Sequence, residues 1–306
     1  MRIGYPCINR SIPCSSNKSF KLKSYSEKRL KETVKNNLDC LLRILEYNLE
    51  HDLLFFRVTS DLVPFASHPV NTFDWQDYFR NDFELIGSLV LKNRIRISMH
   101  PDQFTLINSI RDEIFERSRM ELKYHTEVLD LMNLDSSAKV QIHVGGAYND
   151  KHQSMDRFAT RYRSLGNSTR QRLVIENDDK LYDIGDCLRI SAQTQVPVLF
   201  DVFHHRLNNK TQLGGDFFRY VAETWDLKRD GVPMVDYSSQ KPGGFSMQHA
   251  DGIDLEDFGL FLERTECFDF DIMLEIKDKE KSALKAIKIV ANDKRFRAIV
   301  ERQSVP

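Results

Sequence analysis

Residues 173–205 read LVIENDDKLYDIGDCLRISAQTQVPVLFDVFHH. A short apolar run, residues 173–175, stops at Glu176. A helix-like stretch follows over residues 182–192. A second apolar run, residues 198–200, stops at Asp201, with His204 and His205 just beyond. Both runs are apolar on every residue rather than on alternate ones. That is the pattern of parallel strands buried on both faces by helical crossovers.

The same unit recurs in both directions. Strand-like runs occur at residues 3–7, 53–59, 95–99, 140–144, 173–175, 198–200, 232–235 and 272–276. Helical periodicity fills the intervals at residues 27–50, 75–91, 111–132, 155–165, 182–192, 215–223, 255–264 and 279–291. In the first of these, Leu30, Val34, Leu38, Leu41, Leu42 and Leu45 share one face at spacings of three and four. Eight strands alternating with eight helices predict an α/β fold, a single (β/α)₈ TIM barrel over residues 1–306. A doubly wound open sheet is the alternative, but no G-x-G-x-x-G or P-loop favours it.

In a barrel of this kind every strand ends on one face. The residues that close the runs are His100, His143, Glu176, Asp201 with His204, Asp236 with His249 in its loop, and Glu275. Four carboxylates brought together repel one another and are costly to desolvate, and bound cations remove that cost. Imidazoles and carboxylates without thiolates suit Mn²⁺, Zn²⁺ or Fe²⁺ better than Ca²⁺ or Mg²⁺ alone. Eight ligands are too many for one ion, so two or three are expected. Such sites activate water and clamp the oxygens of an in-line phosphoryl displacement. His205 is the weaker neighbour of His204. His51, His68, His125 and His152 fall in helices or loops and default to surface or packing roles.

Composition bounds the partners. The 306 residues carry a net charge of −1, which excludes a protein that coats nucleic acid by bulk positive charge. The charge is uneven, with a net +6 in residues 1–40, +5 in residues 277–306 and −12 between them. No apolar run reaches membrane-spanning length and no signal-peptide core is visible, so a cytoplasmic protein without membrane contact is expected. Cys7, Cys14, Cys40, Cys187 and Cys267 are scattered, odd in number and without C-x-x-C spacing, which predicts free thiols.

Several blocks resemble the UV damage endonuclease family. They are Gly4-Tyr5 with Asn9, FRVTSDLVP (56–64), MHPDQFTLINS (99–109), HVGGAYNDK (143–151), VIENDD (174–179), FDVFHH (200–205), SSQ (238–240) followed by HADGID (249–254), and MLEIKDKE (273–280). Their order and spacing carry the resemblance from about Arg2 to Lys281.

The resemblance implies a barrel with a divalent metal cluster, usually of manganese, with zinc or magnesium as alternatives. It implies incision of double-stranded DNA immediately 5′ to cyclobutane pyrimidine dimers and 6-4 photoproducts, leaving a 3′-hydroxyl. Metal ligands are then His100, His143, Glu176, Asp201, His204, His249 and Glu275. Glu176 and Glu275 bridge ions and hold the nucleophile. Gln103 and Phe104 probe the lesion by entering the duplex, while Tyr5 and Asn9 contact the damaged nucleotides from the opposite side. Lys151 and Arg57 are phosphate contacts.

A wedge of this kind senses weakened stacking. The family's K-x-H strand end is Met234-Val235-Asp236 here. Met234 supplies neither a hard oxygen nor a charge, whereas Asp236 can bind metal as an oxygen ligand.

In a barrel the first loop lies on the catalytic face, so Arg10, Lys18, Lys21 and Lys23 are expected to grip the DNA backbone. Arg157, Arg161 and Arg163 are read as a solvated helix face. A metal-dependent sugar isomerase-like barrel and a non-catalytic lesion-binding protein are the rival readings. A monomer is expected.

Overall fold

A closed sheet buries both faces of short parallel strands, one against the barrel interior and one against the helices. The computed structural model, which describes residues 1–208, 217–240 and 248–299, shows such a sheet. Strands β1 (Ile3–Pro6), β2 (Phe55–Val58), β3 (Arg96–Met99), β4 (Lys139–His143), β5 (Leu173–Glu176), β6 (Val198–Asp201), β7 (Met234–Tyr237) and β8 (Asp271–Leu274) pair in sequence order. All neighbours are parallel, and β8 closes onto β1 through Ile3 opposite Ile272 and Gly4 opposite Met273. A Cβ on Gly4 would stand 2.2 Å from the Phe55 carbonyl oxygen, so only glycine lets β1 approach β2 here.

The helices are α1 (Glu27–Glu50), α2 (Trp75–Tyr78), α3 (Arg80–Lys92), α4 (Asp112–Leu131), α5 (Lys151–Ser164), α6 (Asn167–Arg172), α7 (Ile184–Thr194), α8 (Val202–Leu207), α9 (Phe217–Glu223), α10 (Leu255–Arg264) and α11 (Glu280–Val290). Ser26 caps α1 by accepting the Arg29 N–H, and the Leu30, Val34, Leu38, Leu41 and Leu45 stripe is buried as expected. Leu42 is only partly buried. The helix expected over residues 75–91 is two helices broken at Phe79, a core residue whose backbone leaves the helical region. Of the helix expected over residues 215–223, Gly215 and Asp216 lie outside the described residues. No helix among the described residues is long and apolar enough to cross a membrane.

The barrel interior is layered. At the N-terminal end Arg96 donates to Asp271 (2.9 Å) and Lys139 to Asp230 (2.5 Å), all four side chains being buried. Phe55, Val174, Leu199, Met234 and Met273 form an apolar layer with Trp225. Two residues further along their strands come Arg57, Glu176, Asp201, Asp236 and Glu275. Met234 is therefore a core residue one layer below the strand ends.

The expectation of five free thiols is corrected. Cys14, in the loop after β1, forms a disulfide with Cys40 of α1. The loop folds back along the helix and brings together two residues 26 apart, which local spacing rules do not detect. Cys7, Cys187 and Cys267 are free.

Candidate metal centre at the barrel mouth

Glu176 is the hub. Its Oε1 lies 3.0 Å from His100 Nε2 and 3.0 Å from His143 Nδ1, and its other oxygen accepts the Gln141 amide. His100 Nδ1 faces the Pro101 carbonyl at 2.7 Å. That oxygen only accepts, so Nδ1 carries the hydrogen and a neutral ring turns its Nε2 lone pair toward the carboxylate. Two lone pairs at 3.0 Å require a proton or a cation between them. Nδ1 of His143 is buried and makes no hydrogen bond despite its closeness to Glu176. The donor set thus fits a divalent ion.

One ligand atom each from His100, His143 and Glu176 lies within 4.8 Å of the others. The same holds for Glu176, Asp201 and Asp236. Glu176 belongs to both groups, as a bridging carboxylate would. His204 is on the same side, its ring 5.9 Å from that of His143, with Nδ1 directed at the Asn177 carbonyl at 3.1 Å. His249 packs on Phe203 at 4.8 Å and its buried Nδ1 has no partner. Burial lowers the pKa of its imidazole, against the pull of Glu275.

Arg57 is not placed to contact DNA. It is buried, with Nη2 2.8 Å from both oxygens of Asp236 and 2.7 Å from Gln141 Oε1, and Nη1 paired with Glu275. Its Nη1 and Nη2 donate inward and its Nε is buried without a partner, so the guanidinium offers no donor to phosphate outside the barrel. Gln141 was not read from the sequence. It donates to Glu176 and to Asp236 (2.6 Å), tying both carboxylates to Arg57. The signal was available, since Gln141 and His143 are two apart on β4 and share its inner face.

The electrostatics show crowding. Burial pushes Asp201 up to about 7, with Glu275 and Glu176 adding to it against His204. Burial also drives Asp236 well above the usual carboxylate range, opposed by Arg57. Arg57 overcomes burial to hold Glu275 down at about 2, and His143 and His100 hold Glu176 well below its ordinary value. Against burial, Glu176 lifts His143 to about 9. The four carboxylates cannot all be charged on the positive groups of the chain alone.

At the rim, Gln103 is exposed and Phe104 is 73% exposed. The backbone N–H of Phe104 donates to Asp102 (2.9 Å). Arg157 and Arg161 are not a solvated face. Arg157 donates to the Asn108 carbonyl (2.7 Å) and Arg161 to that of Ser109 (2.5 Å), bracing the loop that carries Phe104. Arg163 remains on the exposed side, reaching the Gln193 carbonyl.

His125 is buried behind the site. Its Nε2 meets Ser60 Oγ (3.0 Å), and that hydroxyl donates to the His100 carbonyl (2.7 Å). Lys151 pairs with Asp186 and lies 5.5 Å from the Tyr182 ring centroid. Lys18, Lys21 and Lys23 are exposed on the first loop.

Tyr5 departs from expectation. It is wholly buried, edge-on to Phe56, with its hydroxyl donating to Asn48 (2.6 Å) and accepting from Asn9 (2.8 Å). No ring face is open to a base, and Asn9 is itself buried. The alternation along β1 aims Tyr5 at α1, a direction that a motif match does not report.

A parallel eight-stranded barrel whose strand ends carry converging imidazoles and carboxylates defines a class of proteins able to hold metal ions at the C-terminal mouth. Residues 1–303 match the UV-endonuclease UvdE family, and the chain belongs to that family. It is 36% identical over 289 residues to the UV DNA damage endonuclease of Clostridium perfringens, covering 94% of this chain and 70% of that protein. The crystal structure of SacUVDE superposes with a TM-score of 0.90 at 44% identity, covering 95% of this chain and 98% of that one. Likeness in fold alone extends to endonuclease IV from Thermus thermophilus, with a TM-score of 0.59 at 15% identity over 95% of this chain and 98% of that one.

Proposed function

We propose that this chain is a metal-dependent DNA repair endonuclease. It hydrolyses the phosphodiester immediately 5′ to cyclobutane pyrimidine dimers and 6-4 photoproducts in double-stranded DNA and leaves a 3′-hydroxyl. The observation that carries the reading is the meeting of His100, His143 and Glu176 lone pairs at the mouth of a barrel of the UV-endonuclease family.

His100, His143 and Glu176 hold one ion, and Glu176, Asp201 and Asp236 a second. His204, His249 and Glu275 complete the set. Manganese is the first choice, with zinc and magnesium as alternatives. Bound there, divalent ions supply water activation and neutralise charge on phosphoryl oxygens.

The chain's own groups do the rest. Glu176 and Glu275 orient the attacking water through their carboxylate oxygens. Lys151 adds positive charge at the edge of the site. Gln103 and Phe104 enter a weakened base step, and the exposed Phe104 ring is available for stacking. Tyr5 and Asn9 fix the start of the basic loop, from which Lys18, Lys21 and Lys23 reach the backbone. The protein works as a monomer in the cytoplasm.

The test is nicking of UV-irradiated and unirradiated supercoiled plasmid, with Mn²⁺ or with chelator. Metal-dependent nicking confined to irradiated DNA is expected. Binding without nicking would favour a lesion-binding protein, and neither would refute the reading. For Asp236, metal content is read directly, and Asp236→Ala is expected to lower it.

A further inference from the structure

Lys279 has a backbone that a lysine should avoid. Its φ of 58° and ψ of −118° are those of the first central residue of a type II′ turn, a position suited to glycine. The turn is closed by the Lys281 N–H on the Asp278 carbonyl at 3.3 Å.

Its neighbours hold it there. Glu280 is buried, and its two oxygens accept the Arg10 N–H (2.9 Å) and the Ser11 hydroxyl (2.8 Å). Asp278 accepts from Ser282, and the Lys279 N–H itself donates to the Ile276 carbonyl at 3.1 Å. Such strain persists where the surroundings over-determine it, and it clusters at functional sites.

The side chain gives the strain no structural return. Lys277, two residues earlier, pairs with Asp251 at 3.0 Å. The half-buried Lys279 ammonium has no hydrogen-bond or ion-pair partner among the described residues. The groups whose fields act on it are Cys7, Glu275, Arg57 and Arg10, and it acts in turn on His249. This lone cation is on the loop between β8 and α11, which begins at Glu275 and is tied to the His249 segment by the Lys277 N–H on the Ala250 carbonyl (3.3 Å), on the side of the barrel where a phosphodiester must lie.

We propose that Lys279 is a catalytic residue whose ammonium binds a phosphoryl oxygen of the scissile phosphodiester and stabilises the charge that builds on it. The role rests on the hydrolytic reading above. Lys279 keeps its proton and forms no covalent bond. The type II′ turn fixes the direction in which the side chain leaves the backbone.

Lys279→Gly separates the two halves of this idea, because glycine is at ease in the turn while the ammonium is lost. The variant should melt at or above the wild-type temperature and bind irradiated duplex within about threefold of wild type. Its single-turnover incision should fall about 100-fold, the usual cost of one oxyanion donor. Methylammonium should restore part of the rate, and Lys279→Arg should retain more than Lys279→Gly.

Undiminished incision by Lys279→Gly, or a loss explained wholly by weaker binding, would overturn the proposal alone. Absence of nicking by the wild type would overturn the hydrolytic reading and this proposal with it.

Discussion

Arg57 Nη2 stands 2.8 Å from each carboxylate oxygen of Asp236, inside the barrel and shielded from solvent. A guanidinium in that position balances charge for the carboxylate layer. Removing it with Arg57→Met leaves Asp236 and Glu275 without their counter-charge. Loss of one partner of a buried pair costs about 3–5 kcal/mol. Urea unfolding in chelator should show a loss of that order, and Mn²⁺ should recover part of it. An Arg57→Met protein as stable as wild type in chelator would contradict the role.

The metal-free protein should become less stable as pH rises. Burial sets Asp201 at about 7, and Glu176, against burial, sets His143 at about 9. Both lie above their unfolded values of roughly 3.9 and 6.5. The folded state therefore holds extra protons. Their contribution is complete below the unfolded pKa values and disappears as pH climbs through about 7 and then about 9. Glu275, held at about 2, and Glu176, held well below its ordinary value, contribute in the opposite sense and only toward strong acid. Melting temperatures in chelator should fall between about pH 5 and 9. Added Mn²⁺ competes with those same protons, so its stabilisation should grow over that range. Parallel curves with and without metal would contradict this.

Phe104→Ala tests the wedge without touching the fold. The ring is 73% exposed, so stability should change by less than about 0.5 kcal/mol. Stacking on a base is worth about 1–3 kcal/mol, so binding or incision of irradiated duplex should weaken about 5- to 150-fold. Equal activity on irradiated duplex would remove Phe104 from lesion recognition.

The disulfide gives a direct count. Non-reduced, denatured protein should expose three alkylatable thiols, and reduced protein five. Cys14→Ser should cost about 2–4 kcal/mol, as expected for a closed loop of this length. Five thiols without reductant would show that the pair is open in solution.

The strands and their closing residues were legible because both are local. A short apolar run ending in His, Asp or Glu is visible in a short window of sequence, as at Glu176 and Asp201. The α1 stripe was equally plain. What escaped was long-range. Cys14 and Cys40 are joined by a loop that returns to its helix. Arg57 lies 179 residues from Asp236 and 218 from Glu275, and nothing near it in sequence marks it as a counter-ion. Tyr5 matched a motif, yet only the barrel decides whether its ring faces water or α1. Arg157 and Arg161 have helical spacing typical of a wet face, but the loop between β3 and α4 engages them.

The band of Phe55, Val174, Leu199, Met234 and Met273 separates two charged ends of one barrel. Beneath it, Arg96 with Asp271 and Lys139 with Asp230 are already matched. Above it, the carboxylates outnumber their positive partners, Arg57 being shared by Asp236 and Glu275. The side chains of this band relay no hydrogen bond, so neither end can hand a proton or a donor to the other, and only the field of the neutralised pairs below crosses it. Changes at the lower end should therefore alter the mouth far less than changes made within it. That separation lets the mouth concentrate acidic groups while the sheet beneath it is held by pairs that are already matched.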